Sequence, residues 1–262
     1  MLRRLPVLVV VLLAPAAFAQ EPPPFVASRP GQTEGAIAVP TGYLQAETEI
    51  ASYARSRQAG VKSDAYSVAA TSLRYGVADG LDVELNVQPY LHGSVTAGGV
   101  KDSDGGFGDV TLRVLKNLMG QDGEGPAVAV IGYVTLPTAK SGLGADKTEG
   151  GGIITGSFQP MDKWGVAWTL GAAARYQGGG NDYQAEFSGA LQLNHAFTEA
   201  VTGYAEVAAV RAQHDGGPVS ATFDVGAAWI VAPMTQLDAG VNLGLTDAAD
   251  DANVFVGIAH RF

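Results

Sequence analysis

LDVELNVQ, residues 81–88, alternates without a fault: Leu81, Val83, Leu85 and Val87 fall on one side, Asp82, Glu84, Asn86 and Gln88 on the other. Successive side chains of a strand point to opposite faces, so this octet is a strand with one apolar and one strongly polar face. Two architectures make such a strand. In a soluble sandwich the apolar face meets a protein core and the polar face meets bulk water. In a membrane barrel the apolar face meets lipid and the polar face a lumen.

The alternation starts at Tyr43 and continues nearly to the C-terminus. It predicts about twelve strands, at 42–53, 64–75, 81–91, 106–118, 126–137, 150–160, 165–176, 182–194, 201–213, 218–231, 236–246 and 252–262. An even count, with lengths near the ~9–11 residues of a tilted spanning strand, fits a barrel. Strands 126–137 and 150–160 have no clean phase, and their faces are not assigned. Connections after odd-numbered strands are polar and often long (RSRQAGVKS, HGSVTAGGVKDSDG, TAKSGLGADKTEG), whereas those after even ones are mostly short (GVAD, MDKW, APMT). That asymmetry predicts an up-and-down antiparallel transmembrane barrel with long outer loops, short periplasmic turns and both termini in the periplasm. Aromatic residues near strand ends, such as Tyr53, Tyr75, Tyr90, Trp164 and Trp229, suit the girdles at the two membrane interfaces.

The first residues, MLRRLPVLVVVLLAPAAFAQ, read as a secretory signal: a basic start, an apolar run, and an A-x-A cleavage site at Ala17 to Ala19. The expected organisation is a signal peptide at 1–19, a proline-rich periplasmic lead-in at 20–41, and a barrel at 42–262. No cysteine is present, which excludes disulfides and thiolate metal sites. Without Arg3 and Arg4 the chain carries 14 basic and 26 acidic residues, a net charge of −12 that argues against a nucleic-acid partner. No mature segment is long and apolar enough for a spanning helix, so a membrane protein of this sequence must be a barrel. A large soluble β domain is the competing class.

The C-terminus, ANVFVGIAHRF, ends on Phe262 with Ile258, Val256 and Val254 in the same phase. This resembles the terminal strand by which bacterial outer-membrane barrels are read by their assembly machinery; His260 departs from that pattern. With the signal peptide it puts the protein in the bacterial outer membrane, and Leu81, Val83, Leu85 and Val87 against lipid.

RPGQTEGAIAVPTGYLQAETEI (29–50), SLRYGVADGLDVELNVQPY (72–90), GFGDVTLRVLKN (106–117) and YVTLPT (133–138) together resemble the outer-membrane transporter family named after the meta-pathway of phenol degradation. Arg29, Pro30, Thr33, Glu34, Pro40 and Gly42 stand in its lead-in motif, and Gly106, Gly108 and Asp109 in its glycine–aspartate motif. The resemblance implies a barrel that takes up small hydrophobic compounds. It carries over no catalytic residue.

By strand phase, Glu47, Glu49, Asp82, Glu84, Glu186 and Asp224 point inward with Arg74 and Arg113, and these eight are the expected lumen-lining residues. Asp109, Glu206, Asp238, Arg175 and Arg261 share their phase. An acidic lumen favours cations. The alternative is a structural network in which Arg74 and Arg113 pair with Asp82, Glu84 and Asp109, as buried charges usually do.

Enzyme chemistry finds little support. Ser188 and His195 are seven residues apart on one strand, ~23 Å in depth, and His92, His195, His214 and His260 sit in no nucleophile or metal motif. KDSDGGFGD (101–109) lacks the full ligand spacing of a calcium loop. No cofactor is expected. Transport would be passive, with no plug domain of useful length before the first strand. The expected partners are outer-membrane lipid and lipopolysaccharide, touched by Lys62, Lys101, Lys140 and Lys147 on outer loops, together with the assembly machinery and a small solute. A non-conducting barrel with a filled lumen is the second reading.

Overall fold

The alternating stretches pair in chain order into one antiparallel sheet that closes on itself. The computed structural model describes residues 24–140, 142–176, 182–212 and 217–262. The expected signal peptide, the first residues of the lead-in and His214 lie outside these.

The strands are β1 (Leu44–Gln58), β2 (Val61–Ala78), β3 (Leu81–Val87), β4 (Tyr90–Ala97), β5 (Val100–Gly106), β6 (Val110–Met119), β7 (Ala127–Leu136), β8 (Glu149–Met161), β9 (Trp164–Tyr176), β10 (Tyr183–Ala196), β11 (Val201–Ala212), β12 (Val219–Ala232), β13 (Thr235–Gly244) and β14 (Ala252–Arg261). Each pairs with its neighbour, and β1 pairs with both β2 and β14. Because β3 and β4 both lie along β2, and β5 and β6 continue each other on the next position, the ring has twelve staves among the described residues. It is an outer-membrane β-barrel.

Side-chain exposure follows the alternation. Asp82 is fully buried while Val83, its neighbour, is 42% exposed on the apolar exterior. β7 and β8 show why their phase was illegible: Ala127, Ala129 and Ile131 point inward and are buried, but so large an apolar set faces the interior because Ala36 and Ala38 pack on it there. With lipid outside and protein inside, both faces are apolar.

Three features depart from the sequence-based expectation. First, the region 92–105 is a hairpin made by β4 and β5, because β2 runs out to Val61 and offers backbone partners as far as Lys62 opposite Thr96. His92 therefore lies in a strand, stacked on Tyr66 with ring centroids 4.8 Å apart. Second, the wall is interrupted between Val87 and Tyr90 and, facing it, between Gly106 and Val110. Pro89 has no N–H for a ladder; the Gly108 N–H donates to the Gln88 carbonyl across the break (2.9 Å). Third, residues 24–40 do form no strand, but they run inside the barrel and not in the periplasm. Their exit is tight: Gly42 has φ +85° and donates its N–H to the Gly76 carbonyl (2.8 Å). A Cβ on Gly76 would lie 2.1 Å from the Pro40 carbonyl oxygen.

Gly76→Val should therefore displace the Val39–Pro40 backbone and cost about 1–3 kcal/mol, as overpacking does. A lower urea midpoint for the detergent-refolded barrel is the expected readout, and an unchanged midpoint would show that the exit is not close-packed.

Candidate functional site

The interior polar faces and the threaded segment make one site. Strand pairing sets inward residues of adjacent staves side by side, so Gln45 meets Arg74, Arg74 meets Glu84, and Glu84 meets Arg113 along one level of the wall. Buried charges need partners, and most of these find them. Arg74, with a side chain only 3% exposed, pairs with Glu47 (3.2 Å) and Asp82 (2.6 Å). Arg113 pairs with Glu34 (2.7 Å) and Glu84 (3.5 Å). Arg175 joins Glu149 (2.8 Å) to Glu186 (2.9 Å).

The lead-in uses the same side chains as anchors. Glu47 accepts the backbone N–H groups of Ser28 and Arg29 (3.0 and 3.1 Å), and Asp82 accepts that of Val39 (2.8 Å). Arg29 pairs with Asp238 (3.0 Å). Glu206 accepts the N–H groups of Gln32 (2.8 Å) and Thr33 (2.9 Å) and the Thr33 hydroxyl (2.5 Å); Gln32 donates its amide to Asp224 (2.6 Å). Further round the wall the Thr155 hydroxyl donates to the Glu34 carbonyl (2.6 Å), the Asn117 amide to the Ala36 carbonyl (2.7 Å), and Gln121 makes a reciprocal pair with Ala38 (3.0 and 2.9 Å). A chain without strand pairing has to satisfy its backbone elsewhere, and here the barrel wall does so.

Toward the long-loop end an open cavity of about 800 Å³ remains. Glu47, Glu49, Arg74, Glu84, Arg113 and Glu186 border it, so six of the eight lumen candidates touch open space. Asp82 and Asp224 do not: both are fully buried at the lead-in. Glu49 has no basic partner among the described residues. The apolar share of the lining includes Leu143, Ile153 and Val210 with Tyr133, and also Val87, which strand phase sets against lipid but which borders the cavity at the wall break.

Asp109 corrects the proposed Arg network. It accepts the N–H groups of Ala139 (2.9 Å) and Ala145 (2.6 Å), and so holds the β7–β8 loop at the cavity beside the wall break. The anchors missed by strand phase are Arg29, Gln32, Thr33 and Glu34. Their only trace in the sequence was a polar lead-in motif with no period to place it. Phe262, the proposed assembly signal, is 66% exposed at the sheet rim, packed edge-on against His260 at 4.5 Å.

The family described as "Putative MetA-pathway of phenol degradation" matches over residues 27–262. Among solved structures, an outer membrane channel from Pseudomonas putida F1 is similar with a TM-score of 0.63 at 16% identity, covering 89% of this chain and 99% of that one. The NanC porin is similar with a TM-score of 0.51 at 9% identity, over 83% of this chain and 98% of its own. The translocator domain of the autotransporter NalP from Neisseria meningitidis follows at 0.50 and 11% identity, over 84% and 88%. At such identities the likeness is one of fold. No curated protein matches the sequence.

Arg74→Met removes the shared cation of Glu47 and Asp82 and leaves two buried carboxylates without it. Breaking a buried pair in this way costs about 3–5 kcal/mol. Urea unfolding of the refolded protein should show a loss of that size, and a loss below ~1 kcal/mol would mean water already screens the pair.

Proposed function

This chain belongs to that phenol-degradation family, and from that premise we propose that it passes small, weakly polar solutes, aromatic ones included, down their gradient across the outer membrane. The observation that carries the reading is the cavity of about 800 Å³, which extends between the loop end and the wall break, with Val87, Gln88 and Asp109 on its border. A solute dissolved in the outer leaflet meets that break at Pro89 and Gly108, where two staves lack continuous pairing. Inside, most charges along its way are already paired, so a weakly polar guest displaces water without stripping free ions.

The lead-in is the constriction. Passage to the periplasmic end requires it to shift, and its anchors are hydrogen bonds and ion pairs that a hydrated lumen can exchange for water. No nucleotide-binding motif occurs in the sequence, so the movement is passive. The chain is read as a conduit and not an enzyme: Ser188 and His195 sit far apart on β10, and His195 packs against Trp164 (4.3 Å).

A second reading, a closed structural barrel, is favoured by one observation: the lead-in bonds to the wall on opposite sides of the lumen at once. Planar-bilayer recording separates the two. The intact protein should give small cation-selective steps, with selectivity reduced by Glu49→Gln, and deletion of residues 24–38 should raise conductance several-fold. Silence from both proteins, each verifiably inserted, would leave the closed barrel.

The route through the wall has its own test, made clean by the lack of native cysteine. A Cβ on Gly108 would lie 3.0 Å from the Gln88 Cβ, near disulfide range. Oxidised Gln88→Cys/Gly108→Cys should lower cellular uptake of a radiolabelled monoaromatic several-fold, with reductant restoring it, while ion conductance is kept. Undiminished uptake in the oxidised protein would reject the lateral route.

A further inference from the structure

The exterior of β1, β2, β4 and β5 is layered by residue type at the long-loop end. Tyr53 lies opposite Val254 of β14, which is 48% exposed on the apolar exterior, so Tyr53 and its cross-strand partner Tyr66 face outward. A register shift against β14 between Glu49 and Ala51, with Ala69 opposite it at φ +58°, sets this phase. Tyr66 is in turn opposite His92, and the three rings form a continuous row (centroids 6.4 and 4.8 Å apart). Two residues further out, Arg55 and Asp64 form the next outward pair, bonded at 2.9 Å. Two residues beyond that, Arg57, Lys62, Thr96 and Lys101 stand directly opposite one another in a single row across four strands.

Strand spacing puts the ends of that row ~14 Å apart and the rows ~7 Å from each other in height. Asp64 also pairs with Lys62 (2.8 Å), yet Arg57 and Lys101 have no carboxylate partner among the described residues. The inward face of the same hairpin carries Asp102 and Asp104 instead. A chain with a net charge of −10 has thus sorted its basic residues here to the lipid side, just above its aromatic row.

We propose that this face docks a phosphorylated glycolipid of the outer leaflet. The acyl chains lie along Val68 and Val256, which flank Ala51 one row below the aromatics, the sugars at the aromatic and Arg55 level, and the phosphates against Arg57, Lys62 and Lys101. The fit is one of charge and of depth: an apolar band, a half-wet aromatic row and a basic row follow in the order in which such a lipid presents chains, sugar and phosphate. The site is independent of what passes through the lumen. It also gives Lys62 and Lys101 a place on strands, where sequence reading had put them on loops.

The test is native mass spectrometry of the full-length refolded protein with bisphosphorylated lipid A, dephosphorylated lipid A and phosphatidylglycerol. Wild type should retain the bisphosphorylated lipid in preference to the other two. Arg57→Ser/Lys62→Ser/Lys101→Ser should bind it roughly a hundredfold more weakly, from the loss of three juxtamembrane charges, whereas Lys147→Ser on the β7–β8 loop should bind like wild type. Equal binding by the triple variant, or no preference over phosphatidylglycerol, overturns the proposal. If the triple variant does not refold, Lys101→Ser alone, at the hairpin tip, should still bind several-fold more weakly, and wild-type affinity there overturns it as well.

Discussion

Pairing β1 with β14 closes this sheet into a ring, with only β5 beyond the wall break paired on one side alone among the described residues, and that closure governs the rest of the molecule. In hydrocarbon each backbone N–H and carbonyl has to be satisfied within the protein, and a closed ring of strands does this with no free rim. Closure also divides every strand into a lipid face and an enclosed face. The lipid face can only be apolar. The enclosed face is free to be polar, but whatever it presents must be met by water or by protein.

Here protein meets much of it. The lead-in fills one end of the lumen and is held by side chains from both sides, while the other end stays open as a cavity. The same carboxylates serve two purposes. Glu47 and Asp82 neutralise Arg74 and also accept backbone N–H groups of the lead-in, so the electrostatics of the wall and the docking of the segment depend on each other. A purely structural network and a solute path therefore coexist at different depths: fully buried against the lead-in at Asp82 and Asp224, open at Glu49 and Glu186.

The wall itself is uneven. Most staves pair without interruption, yet the two built from β3 with β4 and from β5 with β6 break at the same height, next to Asp109 and the loop it holds. Above that height β1, β2, β4 and β5 rise together, and as the wall leaves the hydrocarbon their outward residues change from apolar to aromatic and then to basic. The same hairpin thus carries acids inward and bases outward.

The sequence by itself determined the class of fold, the number of staves and the inward phase of Glu47, Arg74, Asp82, Glu84 and Arg113, because alternation is a local property and lipid enforces it residue by residue. It also located the lead-in motif at Arg29 to Gly42. It could not tell where that segment goes, since a chain with no period carries no instruction about its partners. Nor could it assign faces in β7 and β8, where the lead-in makes the interior apolar, or follow β1 and β2 past the register shift near Glu49, which reverses the phase. Only the tertiary structure decided which inward charges stay open to solutes and which are consumed in holding Thr33, Val39 and Arg29, because that depends on a contact between residues as distant as Arg29 and Asp238.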